Sequence, residues 1–432
     1  MRERCRMKTG MASFSMGAVL RATRALAARA RLLAVYLSFS AGASVVGLLT
    51  TLFMIRHVEP EQFGRLAITL GALVIANAVV GFGADNLVAI NKAKLDAQGY
   101  ASFRRAYSHF ALTTFVVGQF VAVPVWLSGQ VDGLVLLVPL MALLKFFVSM
   151  ASIEYVMEQR AVAYGLVQLL TAMAASVVTV ALVLWVSPRA ESRIVALMLA
   201  DAILLAVRYG VKPTVVTSWR FDREAFGRIA RFGAPLMLSV GPAYLINEVD
   251  KVVVAQRLDL ASAGIYGAAC TIAGFMLTFI TALLNSAVPK LMAALKEGRE
   301  SPMRVAARYV TRFCGLSIVF AALFLVAYTL AAGHLLPARY TAAIPIVYVL
   351  VVMMQWRSAY AVIGTVTDYY GMTTEKLIGF MLAAAIALGS NLLLIPRFGL
   401  LGAAFGTGLA YVVLASWLML ALFRRPLVPH TI

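Results

Sequence analysis

The sequence has little charge for its length. Lys, Arg, Asp and Glu make up 13% of its 432 residues, whereas hydrophobic residues make up 62% and the mean hydropathy is +0.88. A water-soluble protein of this size needs far more charge to cover its surface. Apolar runs of about 18 or more residues recur along the chain instead, as in proteins whose helices cross a hydrocarbon core of about 30 Å. The composition therefore excludes a soluble protein and predicts a membrane protein.

Cysteine and histidine are also scarce. The three cysteines are Cys5, Cys270 and Cys314, and the four histidines are scattered. No spacing typical of a disulfide framework or a metal site is present. The phosphate-binding pattern G-x-x-x-x-G-K-[ST] is absent as well, so we do not expect the chain to hydrolyse ATP. We expect no metal and no cofactor.

The apolar runs predict helices. Runs such as AMAASVVTVALVLWV (172–186) do not alternate as the strands of a membrane barrel do. Because lipid cannot satisfy backbone polar groups, each run must be a helix with internal hydrogen bonds. The predicted fold class is an all-α polytopic membrane protein of about twelve transmembrane helices. The spans are predicted at 33–55, 64–90, 109–128, 132–152, 162–187, 194–211, 232–255, 263–287, 310–333, 342–364, 374–394 and 400–423.

Short connections between the spans leave no loop that could hold a soluble catalytic domain. An enzyme is therefore not expected. The predicted parts are a basic cytoplasmic tail (1–31), a first six-helix bundle (32–211), a cytoplasmic linker (212–231), a second six-helix bundle (232–423) and a cytoplasmic tail (424–432). The first tail is interpreted as a lead-in to the first span rather than as a cleaved signal peptide.

Basic residues predict the orientation. With the N-terminus in the cytoplasm, the cytoplasmic segments hold 28 of the 38 Lys and Arg residues and the outer loops hold 8. This bias predicts that both termini are cytoplasmic. It also accounts for most of the net charge of +19, which suits contact with anionic lipid headgroups. Binding to nucleic acid would need a soluble basic module, and none is predicted.

An internal repeat links two segments about 200 residues apart, 53–70 and 254–271. Each has an arginine, an acid and a glycine in the same order: Arg56, Glu59 and Gly64, then Arg257, Asp259 and Gly264. Six spans per half would orient both halves alike, as in parallel repeats around a pseudo-twofold axis along the membrane normal that enclose a central pathway. Chance similarity of two hairpin turns is the alternative.

Three motifs resemble one known family. RHVEPEQFGRLA (56–67) is similar to the first outer loop of polysaccharide-biosynthesis flippases, and LINEVDKVVVAQRLDLASAGIYGAA (245–269) is similar to the start of their second half. GLLGAAFGTGLAYVV (399–413) resembles their glycine-rich last span. The chain is thus identified as similar to the O-antigen repeat-unit (Wzx-like) flippases of the multidrug/oligosaccharidyl-lipid/polysaccharide exporter superfamily.

The resemblance implies a function. Such a protein would move polyprenyl-diphosphate-linked oligosaccharides from the cytoplasmic to the outer leaflet of the bacterial cytoplasmic membrane, by alternating access. Its expected partners are the lipid-linked glycan, membrane lipids, and possible polysaccharide polymerase and glycosyltransferase proteins.

Cations inside the spans are the candidate substrate-binding residues. Lys145 in the fourth span and Arg357 in the tenth have no acid three or four residues away in sequence. Ionisable groups within spans usually face a cavity or a partner. We therefore expect Lys145 and Arg357, with Lys251 and Asn247, to bind the diphosphate. A position at the membrane interface, or an ion pair with another helix, is the alternative.

Four acids are candidates for coupling or gating. Asp85 ends the second span, Asp201 lies in the sixth, and Glu248 and Asp250 lie near the outer end of the seventh. These carboxylates could bind a driving proton or sodium ion. Because Lys251 follows Glu248 by three residues, a local ion pair is the simpler explanation for that part of the cluster.

Two other classes compete with a flippase. A cation-coupled multidrug or metabolite exporter of the same superfamily would be expected to carry acids in its core spans, and the predicted first span has none. A membrane enzyme would be expected to have a large loop or domain rich in carboxylates. The two cations within the spans favour an anionic substrate instead.

Overall fold

The computed structural model describes residues 38–82, 84–129, 132–158, 160–209, 227, 229–231, 240–298 and 300–424. Over these residues the chain is α-helical with short 3-10 turns and contains no β-strand. Ten helical segments are long and apolar enough to cross a membrane. The all-α polytopic class predicted from the sequence is therefore confirmed. The tail at 1–31 and most of the linker at 212–231 lie outside the described residues.

Fourteen helices have continuous described ranges, and residues 227 and 229–231 are helical as well. The fourteen are α1 (Ser38–His57), α2 (Pro60–Gly81), α3 (Ala84–Lys94), α4 (Ala97–Leu127), α5 (Val138–Met157), α6 (Ala161–Trp185), α7 (Ala190–Tyr209), α8 (240–247), α9 (Val249–Arg257), α10 (Leu260–Glu297), α11 (Pro302–Leu335), α12 (Ala343–Tyr369), α13 (Thr373–Phe398) and α14 (Leu400–Arg424). The 3-10 turns Gly133–Leu137 and Ala338–Tyr340 precede α5 and α12.

Two predicted spans are interrupted. The second one, predicted at 64–90, ends at Phe82, whose left-handed backbone (φ 41°) stops α2 before α3 begins. The seventh, predicted at 232–255, is broken at Glu248 between α8 and α9. Helix α7 is not among the ten apolar segments, because it carries four charged residues in 20. The total of twelve spans remains a prediction.

The acids of the repeat lie at helix starts. Asp259 caps α10 by accepting a hydrogen bond from the Ser262 amide at 2.6 Å, which satisfies one of the free amides of the first turn. Glu59 occupies the corresponding position before α2, where Pro60 fits the first helical position because it lacks an amide hydrogen. The Glu59 side chain does not cap α2, because its carboxylate forms an ion pair with Arg339.

Helices α2 and α10 cross at the glycines of the repeat. A Cβ atom on Gly64 would lie 2.0 Å from the Leu260 carbonyl oxygen, and one on Gly264 would lie 1.8 Å from that of Pro60. The contact is reciprocal between residues 200 positions apart, as a pseudo-twofold axis requires. Only glycine permits this approach of two backbones. The two halves of the chain therefore meet closely at the repeated motif.

A set of polar contacts, here called the clamp, ties the same end together. The Arg339 guanidinium lies 2.7 Å from the Glu59 carboxylate and also donates to the Arg56 carbonyl at 2.7 Å. Arg56 donates in turn to the His334 carbonyl at 2.6 Å, and the Tyr340 hydroxyl donates to the Val58 carbonyl at 3.2 Å. The α1–α2 turn is thus bonded to the α11–α12 connection, across the two halves.

Candidate transport site

Two adjoining cavities lie within the helical bundle. The central cavity, about 500 Å³, is lined by α1, α2, α7 and α10 together with Glu248 and Lys251, so both halves of the chain contribute to it. The second-half cavity, about 140 Å³, is lined by the α8–α9 region, α10, α12 and α14. Glu248, Lys251 and Cys270 line both cavities. The polar segment of the repeat therefore separates the two.

The break between α8 and α9 positions these side chains. The Asn247 side chain donates to the Ala243 carbonyl at 2.7 Å, and such local bonds compete with regular helix geometry. Glu248 adopts a non-helical backbone before α9 resumes at Val249. Charged and amide groups at 247–251 consequently surround one interrupted turn, where they reach both cavities.

Asp250 is a buried carboxylate that joins three helices. Its side chain is 2% exposed, and its Oδ2 atom accepts hydrogen bonds from the Tyr266 hydroxyl at 2.7 Å and from the Thr407 hydroxyl at 2.9 Å. Its Oδ1 atom accepts from the Lys251 amide at 2.8 Å. Because these donors come from α9, α10 and α14, a change in the charge of this carboxylate would alter the hydrogen bonds that connect all three helices.

Lys251 makes the local ion pair that its spacing allows. Its Nζ atom lies 2.6 Å from the Glu248 Oε2 atom and 3.5 Å from the Asn247 carbonyl oxygen. Both charged side chains are largely buried, so neither is screened as a surface pair would be. The pair stands on the wall shared by the two cavities.

Arg357 lies in the second-half cavity without a carboxylate partner among the described residues. It donates to the Asn247 side-chain oxygen at 2.7 Å, and its guanidinium carbon lies 5.2 Å from the centre of the Tyr411 ring. The Tyr411 hydroxyl donates to the same Asn247 oxygen at 2.7 Å. The arginine is therefore held by a neutral amide and an aromatic face, which leave its positive charge uncompensated.

Lys145 is not brought to these cavities. Its Nζ atom lies 2.9 Å from the Asp201 Oδ2 atom and 3.0 Å from Oδ1, in an ion pair between α5 and α7. Neither residue is among those that line the two cavities. Lys145 thus forms the ion pair with another helix that was one of the alternatives to a cavity-lining position.

Asp85 lies on α3, and its side chain is outside the described part of the structure. The structure thus brings together five of the eight candidates, namely Asn247, Glu248, Asp250, Lys251 and Arg357. Lys145 and Asp201 form a separate pair. Within the described residues no group of three or more His, Cys, Asp and Glu side chains is arranged to hold a metal ion.

Sequence reasoning missed Arg193, which it assigned to an outer loop. The residue lies in the first turn of α7 and lines the central cavity. Its Nη1 atom donates to the Thr179 hydroxyl at 2.9 Å and is 3.4 Å from the Ala175 carbonyl oxygen. The predicted span began at 194, whereas the helix begins at Ala190, so a boundary error of four residues placed this side chain outside the membrane bundle.

The combined charge of the two cavities is positive. Arg193, Lys251 and Arg357 contribute three positive charges, and Glu248 and Asp250 contribute two negative ones, so the net charge is 3 − 2 = +1. A polar, net-cationic space inside an apolar helical bundle suits a ligand with an anionic, hydrated group.

Comparison with solved structures identifies the fold. The fold is similar to the inward-facing conformation of a multidrug resistance MATE family transporter of the MOP superfamily (TM-score 0.64, 14% identity, 91% of this chain and 96% of the other). It is also similar to the lipid II flippase MurJ in an inward closed conformation (TM-score 0.60, 12% identity, 91% and 88%). The chain therefore shares the fold of these proteins.

The chain belongs to the polysaccharide biosynthesis protein family, whose sequence pattern matches residues 53–345, more than half of its length. An uncharacterized membrane protein of Haemophilus influenzae is 23% identical over 269 residues, which cover 61% of this chain and 65% of that protein. The Lsg locus putative protein 1 of the same organism is 22% identical over 193 residues (44% and 47%). The chain thus spans less than two thirds of the length of these relatives.

Proposed function

We propose that this protein flips a polyprenyl-diphosphate-linked oligosaccharide, such as a polysaccharide or O-antigen repeat unit, from the cytoplasmic to the outer leaflet. The observation that carries the proposal is the guanidinium of Arg357, which has no carboxylate partner among the described residues and lies in the second-half cavity, where two cations and two carboxylates balance. Together with the adjoining central cavity, to which Arg193 contributes, the net charge is positive. The family match and the likeness to a lipid II flippase support the same substrate class. The chain would act as a transporter and not as an enzyme.

The substrate's chemistry matches the residues present. A diphosphate carries several acceptor oxygens, and arginine and lysine donate charge-assisted hydrogen bonds to such groups. Attraction between unit charges 4 Å apart is worth about 4 kcal/mol at an effective dielectric constant near 20. Arg357 and Lys251 would therefore bind the diphosphate, Asn247 would orient Arg357, and the polyprenyl tail would stay in lipid. Lys145, which we expected to share this role, is instead held by Asp201.

Alternating access would move the substrate. The α2–α10 crossing and the clamp close one end of the bundle, the end that the predicted orientation places outside. The TM-score to an inward-facing relative (0.64) exceeds that to an outward-facing one (0.53), which agrees with a closed outer end. The two bundles, 32–211 and 232–423, would rock against each other, and the crossing would separate when the outer end opens, so that the cavities are exposed to each side in turn.

Asp250 would couple or gate this motion. A proton or a sodium ion on its Oδ2 atom would replace or weaken the bonds from Tyr266 and Thr407, which tie α9 to α10 and α14. Glu248 would assist by holding Lys251. Asp201 would have a supporting role through Lys145, and a role for Asp85 rests on the sequence alone.

The alternative is a cation-coupled multidrug or metabolite exporter. Two carboxylates, Glu248 and Asp250, line the second-half cavity, and several similar structures are multidrug transporters. Both carboxylates are already bonded, however, Glu248 to Lys251 and Asp250 to Tyr266 and Thr407. The uncompensated charges are cationic, which favours the flippase.

The protein would lie in the bacterial cytoplasmic membrane with both termini in the cytoplasm. It would receive its substrate from glycosyltransferases and deliver it to a polysaccharide polymerase, and it would contact anionic lipids through its basic cytoplasmic segments.

Glycan display in cells tests the proposal. In a strain that lacks the chromosomal copy, Arg357→Glu should abolish surface glycan at normal protein levels, whereas Arg357→Lys should retain part of it because the charge remains. Arg189→Ala is the matched control, since Arg189 is an exposed arginine in the turn before α7. Normal display by Arg357→Glu, or lost drug resistance with intact glycan in the deletion strain, would contradict the proposal.

A further inference from the structure

We propose that Arg193 is a binding residue of the first half, which together with Lys251 of the second half holds the anionic diphosphate group in the central cavity. This inference rests on the proposed function. It assigns to the first half the ligand contact that Lys145, paired with Asp201, does not make.

Most of the hydrogen-bond donors of the Arg193 guanidinium have no partner among the described residues. Among the described residues, only the Nη1 atom of Arg193 is hydrogen-bonded, to the Thr179 hydroxyl and the Ala175 carbonyl. No carboxylate of a described residue lies within ion-pair distance of the guanidinium. A guanidinium has five donors, so most of its capacity is unused. Its Nε and Nη2 atoms have no hydrogen-bond partner among the described residues and are not among the fully buried polar atoms that lack partners, and the residue lines the central cavity.

The position is costly for a cation without a ligand. Arg193 lies in the first turn of α7, where the helix dipole presents its positive end. Its side chain is also partly buried inside an apolar bundle, where positive charge is expensive unless it meets a partner or a functional cavity. Two neutral oxygens compensate only part of this cost, whereas a phosphate would compensate it directly.

The rest of the cavity is suited to an anionic polar group. Hydroxyl groups line it from both halves, Ser44 and Thr51 from α1 and Thr271 and Thr278 from α10. The charged side chains that line it are Arg193, Lys251 and Glu248, with a sum of 2 − 1 = +1. The volume of about 500 Å³ is within the range of pockets that hold small molecules. A diphosphate between Arg193 and Lys251 would bridge the two halves.

Binding to the purified full-length protein tests this assignment apart from transport. The probes are a short-chain isoprenyl diphosphate and the matching uncharged isoprenyl alcohol, measured by calorimetry in detergent. Wild type should bind the diphosphate and not the alcohol. Arg193→Gln, which keeps donors but loses the charge, should weaken diphosphate binding at least about tenfold, as expected for one lost charge-assisted hydrogen bond. Arg193→Lys should recover part of the affinity.

Two control variants separate binding from structure. Thr179→Val removes the hydroxyl partner but keeps the charge, so it should change the affinity less than about twofold even if it lowers the melting temperature. Arg189→Gln removes an exposed arginine four residues earlier and should be silent.

The outcomes are distinguishable. If Arg193→Gln binds as tightly as wild type while Arg357→Glu does not bind, the assignment of Arg193 is wrong and the proposed function stands. The assignment is also wrong if Thr179→Val and Arg193→Gln weaken binding equally, because that result indicates a structural role. If wild type does not prefer the diphosphate to the alcohol, the proposed substrate class itself fails.

Discussion

The close crossing of α2 and α10 allows a sharp test of the proposal that this crossing closes one end of the helical bundle. We consider Gly264→Ala. The added Cβ atom would lie 1.8 Å from the Pro60 carbonyl oxygen, whereas ordinary contact begins at about 3.4 Å, so the helices must separate by about 3.4 − 1.8 = 1.6 Å. The opposing atom belongs to the backbone, which cannot turn aside as a flexible side chain can. Only movement of a whole helix relieves the overlap.

The expected magnitude follows from the cost of overpacking. Extra atoms in a packed interior cost about 1–3 kcal/mol. This cost falls on the closed state alone, because the crossing would be released when that end opens. Each 1.4 kcal/mol is about a factor of ten in an equilibrium constant, so the equilibrium constant for opening should rise about five- to 150-fold. The helix-forming advantage of alanine over glycine, about 1 kcal/mol, applies to both states and cancels.

Cys270 provides the assay, since it lines both cavities and is a native residue. After Cys5 and Cys314 are replaced by serine, a membrane-impermeant maleimide added outside whole cells should label Cys270 at least about five times faster in Gly264→Ala than in the parent protein. Gly274→Ala is the matched control, because Gly274 lies on the same helix and faces open space.

Unchanged labelling of Cys270 in a stably inserted Gly264→Ala protein would refute this reasoning, because it would mean that the crossing does not close the cavity. Faster labelling in the Gly274→Ala control as well would assign the effect to helix propensity and not to the backbone contact.

Two further predictions concern coupling and topology. Asp250→Asn should abolish transport without loss of membrane insertion, because the amide cannot carry the charge that Tyr266 and Thr407 now hold; a wild-type rate with an unchanged pH profile would reduce Asp250 to a structural residue. A cysteine at the exposed Ser128 should be labelled from outside intact cells and one at the exposed Gln98 should not, and reversed labelling would contradict the predicted orientation.

The fold class was largely predictable, because the hydropathy of a segment shows whether its helix is surrounded by lipid or by water. The lengths and order of the apolar runs predicted a helical membrane protein. The sequence identified Gly64 and Gly264 only as parts of a repeat; that the two halves meet at these glycines is seen in the structure, where the close backbone approach needs glycine. The breaks at Phe82 and Glu248 were missed because hydropathy carries no information on backbone dihedral angles.

Of the site's contacts, only those between residues close together in the sequence were predictable. The Lys251–Glu248 pair follows from spacing within one helix, whereas the Lys145–Asp201 pair joins residues 56 positions apart on different helices. No rule about neighbours three or four residues away can detect such a partner. Arg193 was missed for a related reason, because an arginine at the end of an apolar run looks the same whether it faces water or an internal cavity.

Direct measurement of flipping tests the central claim. The purified protein is reconstituted into vesicles that contain a polyprenyl-diphosphate-linked oligosaccharide, and a glycan-binding probe outside the vesicles follows its movement between leaflets. The account predicts that wild type moves the lipid-linked glycan and that Arg357→Glu does not, while Arg189→Ala moves it at the wild-type rate. Movement no faster than in protein-free vesicles, from a protein that exports organic cations under the same conditions, would contradict the account.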